Sequence, residues 1–288
     1  MKRFIDQQIQ EFKKTNIAVK IIYINILVFV LYVFFAAIIS ISHRDWAEKM
    51  PEFLALHGDI QKVILKPWTL FTYSFFHGTS LIHLFFNMVT LYFLGKAFLH
   101  YFSEKTFLNI YILGGLAGAF LFLIITNLSA VDPLLFGASA SIYAVMIALV
   151  TYQPNLEFQL LLIGKVKLWH IVGFIIVLNL LQLIENGTYN LGGLFSHIGG
   201  GLAGYFYMLQ FNEGDPVGRF FERITGSVSA NHKTDFSFTR KPRTADDYEY
   251  NAWKKANQAQ VDAILDKIKK SGYNSLTQQE KEFLFKQK

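Results

Sequence analysis

The feature that most constrains this chain is a series of apolar runs, each close to the length that a helix needs to cross a bilayer. A hydrocarbon core of about 30 Å requires roughly 20 consecutive apolar residues in an α-helix. The sequence contains candidate runs at residues 21–42, 80–99, 106–127, 136–153, 168–184 and 193–211. We therefore expect an all-α integral membrane protein whose fold is a bundle of six transmembrane helices.

The composition supports a membrane protein and excludes several chemistries. Hydrophobic residues make up 52% of the chain and charged residues only 17%, which is unusual for a soluble domain. Cysteine is absent, which excludes disulfides, thiolate metal sites and cysteine nucleophiles. The net charge of +6 could indicate nucleic-acid binding, but in a membrane chain Lys and Arg mark cytoplasmic flanks. We expect the lipid bilayer as the surroundings and no nucleic-acid partner.

The basic residues of the connecting segments predict the orientation in the membrane. Lys or Arg occurs in the tail before the first run and after the second, fourth and sixth runs, but not after the third or fifth. By the positive-inside rule, both termini should be cytoplasmic. The segment 43–79 is assigned to the outside although it contains Arg44, Lys49, Lys62 and Lys66, and we expect it to form a long structured loop. A simple six-span core suits a bacterial inner membrane.

Changes in composition divide the chain into four parts. A cytoplasmic tail covers residues 1–20, the six-helix membrane domain residues 21–212, and a polar linker residues 213–247. Residues 248–288 carry apolar side chains at helical spacing, which predicts a small cytoplasmic helical hairpin. The hairpin contains no catalytic set of residues, so we expect it to bind a cytoplasmic partner or to regulate the membrane domain.

Polar side chains inside the apolar runs are candidates for function because they are costly in hydrocarbon. The second run contains His83 and Asn87 one turn apart, the fourth contains Ser139 and Ser141, and the sixth contains His197. These three runs all enter the membrane from the outside if both termini are inside. His83, Ser139 and His197 would then lie within about 8 Å of the external interface, in one layer.

This set of residue types is suited to acyl transfer. A serine hydroxyl is unreactive until a base takes its proton, and histidine has a suitable pKa near neutrality. Backbone N–H groups with Asn or His side chains can stabilise an oxyanion. Considered alone, Ser139 would more often be a packing residue, and Asn87 a link between helices. No acidic residue lies within the runs to complete a triad, so we predict a Ser–His dyad that uses no metal and no cofactor.

Small residues near Ser139 and His197 predict close helix packing. Gly137 lies two residues before Ser139, at the mouth of the fourth run. Gly200 and Gly204 follow His197 by three and seven residues, and such a face allows another helix to approach closely. We expect this neighbour to be the helix that carries Ser139, because Ser139 and His197 must come within hydrogen-bond distance.

The motifs and their order resemble the rhomboid family of intramembrane serine proteases. The resemblance is carried by FTYSFFHGTSLIHLFFNMVTLYFLG at 71–95, GGLAGAF at 114–120, GASASIY at 137–143 and SHIGGGLAG at 196–204. It extends over residues 60–212, and the first run matches only in hydrophobicity. It implies a six-helix bacterial-type rhomboid fold.

The resemblance implies a role for each matching residue. Ser139 would be the nucleophile and His197 the general base. His83 and Asn87 would be side-chain donors to the oxyanion, beside the Ser139 N–H. Tyr143, one helical turn after Ser139, would pack on the catalytic histidine.

Further positions match supporting residues of the family. Ser141 is the rival nucleophile, but only Ser139 has both a glycine two residues before it and a tyrosine four residues after it. His77 matches a histidine of the external loop with a supporting role. Gly200 and Gly204 match the helix-contact glycines.

The resemblance also implies an activity, which is cleavage of single-span membrane proteins near the external face, at small residues. The alternative is a catalytically silent rhomboid relative that binds membrane clients, although such proteins typically lack the Ser or the His. A small transporter is a weaker hypothesis because no paired charges line a path through the runs.

Three positions depart from the family pattern. Thr69 stands where an Arg usually follows the tryptophan at Trp68, Leu99 stands in place of an acidic residue, and Ala140 stands where Gly is common. We expect these departures to affect loop rigidity and stability more than the chemistry.

Overall fold

The computed structural model describes a mostly α-helical chain. The described residues are 12, 14–160, 163–186, 191–211, 216–217, 264, 267 and 277. Most of the predicted linker and hairpin, and residues 1–11 and 13 of the tail, lie outside these residues. The contacts divide the chain into two units, residues 1–227 and 228–288, and the apolar helices belong to the first.

Six helices coincide with the six apolar runs. In chain order the helices are α1 Ile17–Ser42, α2 Arg44–Lys49, α3 Pro51–Leu54, α4 Ile60–Leu65, α5 Thr69–Thr72, α6 Leu81–Tyr101, α7 Glu104–Leu128, α8 Ser139–Tyr152, α9 Leu168–Asn186 and α10 Leu191–Phe211, with a 3-10 turn at Tyr73–Phe75. The strands are β1 Leu56–His57, β2 Leu134–Leu135, β3 Glu157–Leu160 and β4 Gly164–Lys167. Helices α1 and α6 to α10 are the counterparts of the predicted runs.

Within the described residues, three helices are long and apolar enough to cross a membrane, namely α1, α6 and α7. Helix α8 has 14 residues, which corresponds to about 21 Å. It is therefore shorter than a hydrocarbon core, whereas the sequence predicted a span from residue 136. The protein is an integral membrane protein, and the count of six spans stays a prediction.

Side-chain caps explain where the long helices begin. The Asn16 side chain accepts a hydrogen bond from the Val19 N–H at the start of α1. Ser80 and Ser103 cap α6 and α7 in the same way. Each cap satisfies one of the N–H groups that a helix leaves free in its first turn.

Helix α8 lies at the centre of the bundle. Its residues Ala144, Val145, Ala148 and Leu149 are completely buried, so the helix is covered on several sides at once. Small residues on α7 make room for it, because a Cβ added to Gly114 would overlap the Cβ of Ala144. The central helix therefore has little freedom to shift.

The segment between α1 and α6 is structured, and a short strand pair ties it to the connection before α8. Strands β1 and β2 are antiparallel. The Asp132 side chain accepts from the Asp59 N–H at 2.9 Å and from Lys62, and Asn127 Nδ2 donates to the Gly58 carbonyl at 2.7 Å. These contacts join the two segments that the sequence assigned to the same side of the membrane.

The loop is anchored although Thr69 replaces the arginine of the family pattern. Trp68 Nε1 donates to the Phe53 carbonyl and Thr72 Oγ1 to the Leu54 carbonyl, both at 2.8 Å. Thr69 is buried and donates to the Lys66 carbonyl at 2.7 Å. Several bonds to main-chain carbonyls thus hold this part of the loop.

The connection between α8 and α9 contains β3 and β4, which form an antiparallel hairpin. In this hairpin Glu157 pairs with Lys167. These strands were not predicted from the sequence. Leu99, the other departure outside the site, packs against the main hydrophobic core.

Candidate active site

Ser139 is the first residue of α8, and the turn before it is held by the preceding loop. Gly137 has φ +116°, a conformation that favours glycine. Its N–H donates to the Tyr73 carbonyl at 2.9 Å, and the Ala138 N–H points to Nε2 of His77 at 3.4 Å. The helix therefore begins at Ser139, and not three residues earlier, because a bend at Gly137 and Ala138 separates it from β2.

The structure brings Ser139 and His197 together across two helices. Nε2 of His197 lies 2.7 Å from Oγ of Ser139, within hydrogen-bond distance. The two residues are 58 positions apart in the sequence. Both side chains are partly buried.

This contact is possible because α8 and α10 pack backbone to backbone. A Cβ on Gly200 would overlap the carbonyl oxygen of Ala140, and a Cβ on Gly204 would overlap that of Ala144. Two glycines one turn apart thus let α10 approach the serine-bearing helix. The third departure, Ala140, is accommodated by Gly118 of α7, where an added Cβ would lie 2.6 Å from the Ala140 Cβ.

Tyr143 packs on the histidine ring. The two ring centroids are 4.4 Å apart and the planes are inclined by only 7°. Tyr143 lies one turn after Ser139 on α8, so the helix that carries the hydroxyl also carries the aromatic surface for the imidazole.

Sequence reasoning missed Asn179, which occupies the far side of His197. Its Oδ1 lies 2.8 Å from Nδ1 of His197, and its Nδ2 donates to the Tyr143 hydroxyl and to the Ile175 carbonyl. The signal was present in the sequence, because Asn179 interrupts the apolar run of α9. The predicted dyad named only Ser139 and His197, and the structure adds the contact of an amide oxygen with Nδ1 of His197.

His83 and Asn87 are both on α6 and lie close to the start of α8, where Ser139 is located. The His83 ring packs on Gly137, where an added Cβ would lie 2.7 Å from Cε1 of the ring. Nδ2 of Asn87 donates to the His83 carbonyl at 2.9 Å, which uses one of its two protons. The glycine at position 137 thus allows both the positive φ of the turn and the close approach of the His83 ring.

A cavity of about 130 Å³ opens beside Ser139 and Asn87. Its other lining residues come from α6, α8 and α9 and are mostly apolar: Phe86, Thr90, Ile142, Tyr143, Met146 and Ile175. A small side chain or a few waters would fit in this volume.

His77 lies in the loop before α6 and contacts the turn that precedes Ser139. It is completely buried, and its ring centroid is 5.1 Å from that of His83. Burial is the main cause that lowers the pKa of His77 to about 4, and the nearby His83 acts in the same direction. His77 is therefore neutral near pH 7, which lets Nε2 face the Ala138 N–H as an acceptor.

Ser141 faces away from His197. Its hydroxyl lies against α7, where a Cβ added to Gly115 would be 2.8 Å from Oγ. The side chain is buried, and Oγ has no hydrogen-bond partner among the described residues.

In the described part of the chain, no group of three or more His, Asp or Glu side chains is arranged to hold a metal ion.

Comparison with known protein families gives two matches. The rhomboid domain matches residues 65–212, just over half of the 288 residues, and includes α6 to α10 with all the residues of this site. Residues 244–286 match a family of unknown function, DUF6576. No curated protein matches the chain.

Proposed function

Because this chain belongs to the rhomboid family, we propose that it is an intramembrane serine endopeptidase that cleaves single-span membrane proteins. The observation that carries the proposal is the 2.7 Å contact between Ser139 Oγ and His197 Nε2. A rhomboid relative that only binds membrane clients would have no need for this contact.

In the proposed reaction, His197 takes the proton of Ser139 as Oγ attacks the carbonyl carbon of the substrate. The protonated His197 then gives this proton to the leaving amine, and the acyl group stays on Ser139. A water molecule, deprotonated by His197, then attacks the ester carbonyl carbon. His197 returns the proton to Oγ of Ser139 as the bond between Oγ and the carbonyl carbon breaks, which releases the acid product and restores the free serine. One base thus serves both steps.

The negative charge of each tetrahedral intermediate needs fixed donors. The Ser139 N–H at the start of α8 is one candidate, since it belongs to the first turn and needs no helical partner. Asn87 and His83 are the side-chain candidates, because Asn87 lines the cavity beside Ser139 and His83 packs on Gly137.

The family resemblance implies small residues at the cleaved bond. The cavity of about 130 Å³ next to Ser139 has room for such a side chain. The same cavity would hold the water that hydrolyses the acyl-enzyme.

The charge pattern supports cytoplasmic termini. Cleavage near the external face of a bacterial inner membrane is the location that we propose. Residues 248–288 would then be available to a cytoplasmic partner.

The test is cleavage of a single-span reporter by purified protein in liposomes. We expect wild type and Ser141→Ala to cut, and Ser139→Ala and His197→Ala to be inactive. Ser141→Ala is the matched control, because it removes a hydroxyl from the same helix two residues away. If folded wild type cuts none of several reporters and does not react with a fluorophosphonate probe, the client-binding alternative replaces this proposal.

A further inference from the structure

We propose that Asn179 is a positioning residue that holds His197 in the tautomer able to accept the Ser139 proton. The inference rests on the proposed proteolytic function and adds a member to the predicted dyad. Asn179 is on α9, His197 on α10 and Ser139 on α8, so three helices contribute to one chain of hydrogen bonds.

The orientation of the Asn179 amide follows from its neighbours. The Ile175 carbonyl can only accept a hydrogen bond, and Nδ2 of Asn179 donates to it at 2.7 Å. The second Nδ2 proton is directed to the Tyr143 hydroxyl. With both amide protons used, Oδ1 is the atom that faces His197.

The amide orientation in turn determines the tautomer of the imidazole. Oδ1 can only accept, so Nδ1 of His197, 2.8 Å away, must carry the proton. The lone pair of the neutral ring is then on Nε2, which faces Ser139 Oγ at 2.7 Å. The opposite tautomer would direct two lone pairs at each other between Nδ1 and Oδ1.

The same contact would act during the reaction. When His197 takes the serine proton, the ring becomes positively charged, and Oδ1 presents the negative end of the amide dipole to Nδ1–H. An amide is too weak a base to accept that proton, so no relay is involved. A neutral amide also avoids the cost of a carboxylate within an apolar helix.

Asn179 and Tyr143 restrict different motions of His197. The parallel stack at 4.4 Å fixes the plane of the imidazole, while the hydrogen bond from Nδ1 fixes its rotation within that plane. Because Asn179 also binds the Tyr143 hydroxyl, the two restraints are connected.

The test compares Asn179→Leu, which removes the acceptor at similar volume, with Asn179→Asp, which keeps one. We expect kcat of Asn179→Leu to fall by about 10- to 100-fold with KM unchanged, a part of the 10²- to 10⁴-fold that general-base catalysis contributes. Asn179→Asp should recover to within about tenfold of wild type, a difference of about 1.4 kcal/mol in activation free energy. The matched control is Asn25→Leu in α1, since Asn25 also donates to the carbonyl four residues before it but does not contact the site.

A second measurement reads the tautomer directly. Solid-state ¹⁵N NMR of histidine-labelled protein in liposomes, with His197→Ala to assign the signal, should show Nδ1 protonated in wild type and in Asn179→Asp. Asn179→Leu should lose this preference. A proton on Nε2 in wild type, or an Asn179→Leu variant with kcat within twofold of wild type, would overturn the inference.

These outcomes are separate from failure of the proposed function. Inactive wild type with no probe labelling would refute proteolysis. Active wild type together with an active Asn179→Leu variant would refute only the role of Asn179.

Discussion

The ring of Tyr143 lies parallel to the ring of His197, with centroids 4.4 Å apart, and the Tyr143 hydroxyl also receives a hydrogen bond from Asn179. The side chain thus combines a surface for the imidazole with an acceptor for the residue behind it. These two contributions can be separated by mutation.

Tyr143→Phe should keep the stack and lose the acceptor. We expect cleavage to slow by about fivefold, which corresponds to about 1 kcal/mol for one hydrogen bond. Tyr143→Ala should reduce cleavage much further, because it also removes the ring that restricts His197. Tyr205→Phe, at an exposed tyrosine of α10, is the control for loss of a hydroxyl. Equal activities of Tyr143→Phe and Tyr143→Ala would contradict the importance of the stack.

Gly200→Ala should destabilise the bundle, because the new Cβ would overlap the Ala140 carbonyl, which cannot move without shifting α8. We expect a loss at the upper end of the about 1–3 kcal/mol typical of overpacking. Activity should fall as well, since separation of α8 and α10 lengthens the contact between Ser139 and His197. Thermal unfolding in detergent and reporter cleavage measure the two effects.

The control for this substitution is Gly201→Ala on the same helix. There an added Cβ would be 3.4 Å from Ile147, so we expect nearly wild-type stability. Similar losses for both variants would show that helix α10 tolerates neither, and that the carbonyl contact is not the cause.

The buried histidine of the loop predicts a dependence of stability on pH. Burial lowers the pKa of His77 to about 4, whereas a histidine in the unfolded chain titrates near 6.5. Between these values the unfolded chain binds more protons than the folded protein, so the free energy of unfolding rises with pH. The contribution is fully present above pH 6.5 and is lost as the pH falls toward 4, by up to about 1.4 kcal/mol per unit.

Unfolding of wild type and His77→Asn between pH 4 and 8 measures this dependence. The variant should have a smaller slope between pH 4 and 6.5, and the two slopes should agree above that window. Identical slopes in the two proteins would mean that His77 is accessible to protons in the folded state.

The positions of the long helices could be predicted because their length and apolar character reflect the surrounding lipid. The six predicted runs and the six helices agree to within a few residues at most ends. The difference that affects the site is at α8, which starts at Ser139 and not at residue 136. Its start depends on the φ of Gly137 and on β2, and neither follows from hydrophobicity.

For the candidate site, the types and spacing of residues selected Ser139 and His197, and the structure places them in contact. Asn179 could not be linked to His197 in the same way, because one amide in an apolar helix more often joins two helices. Its position behind the imidazole depends on how α9 packs beside α10. That relation is set by tertiary contacts and not by the periodicity of either helix.

The strand pair between β1 and β2 was also beyond sequence reasoning, because two residues per strand carry no pattern. Yet Leu56 pairs with Leu135 and His57 with Leu134, and Ser139 follows only four residues later. A slip of this pair by one residue would shift the chain just before α8 by about 3.3 Å. The register of these four residues therefore helps to fix where the helix that carries the nucleophile begins.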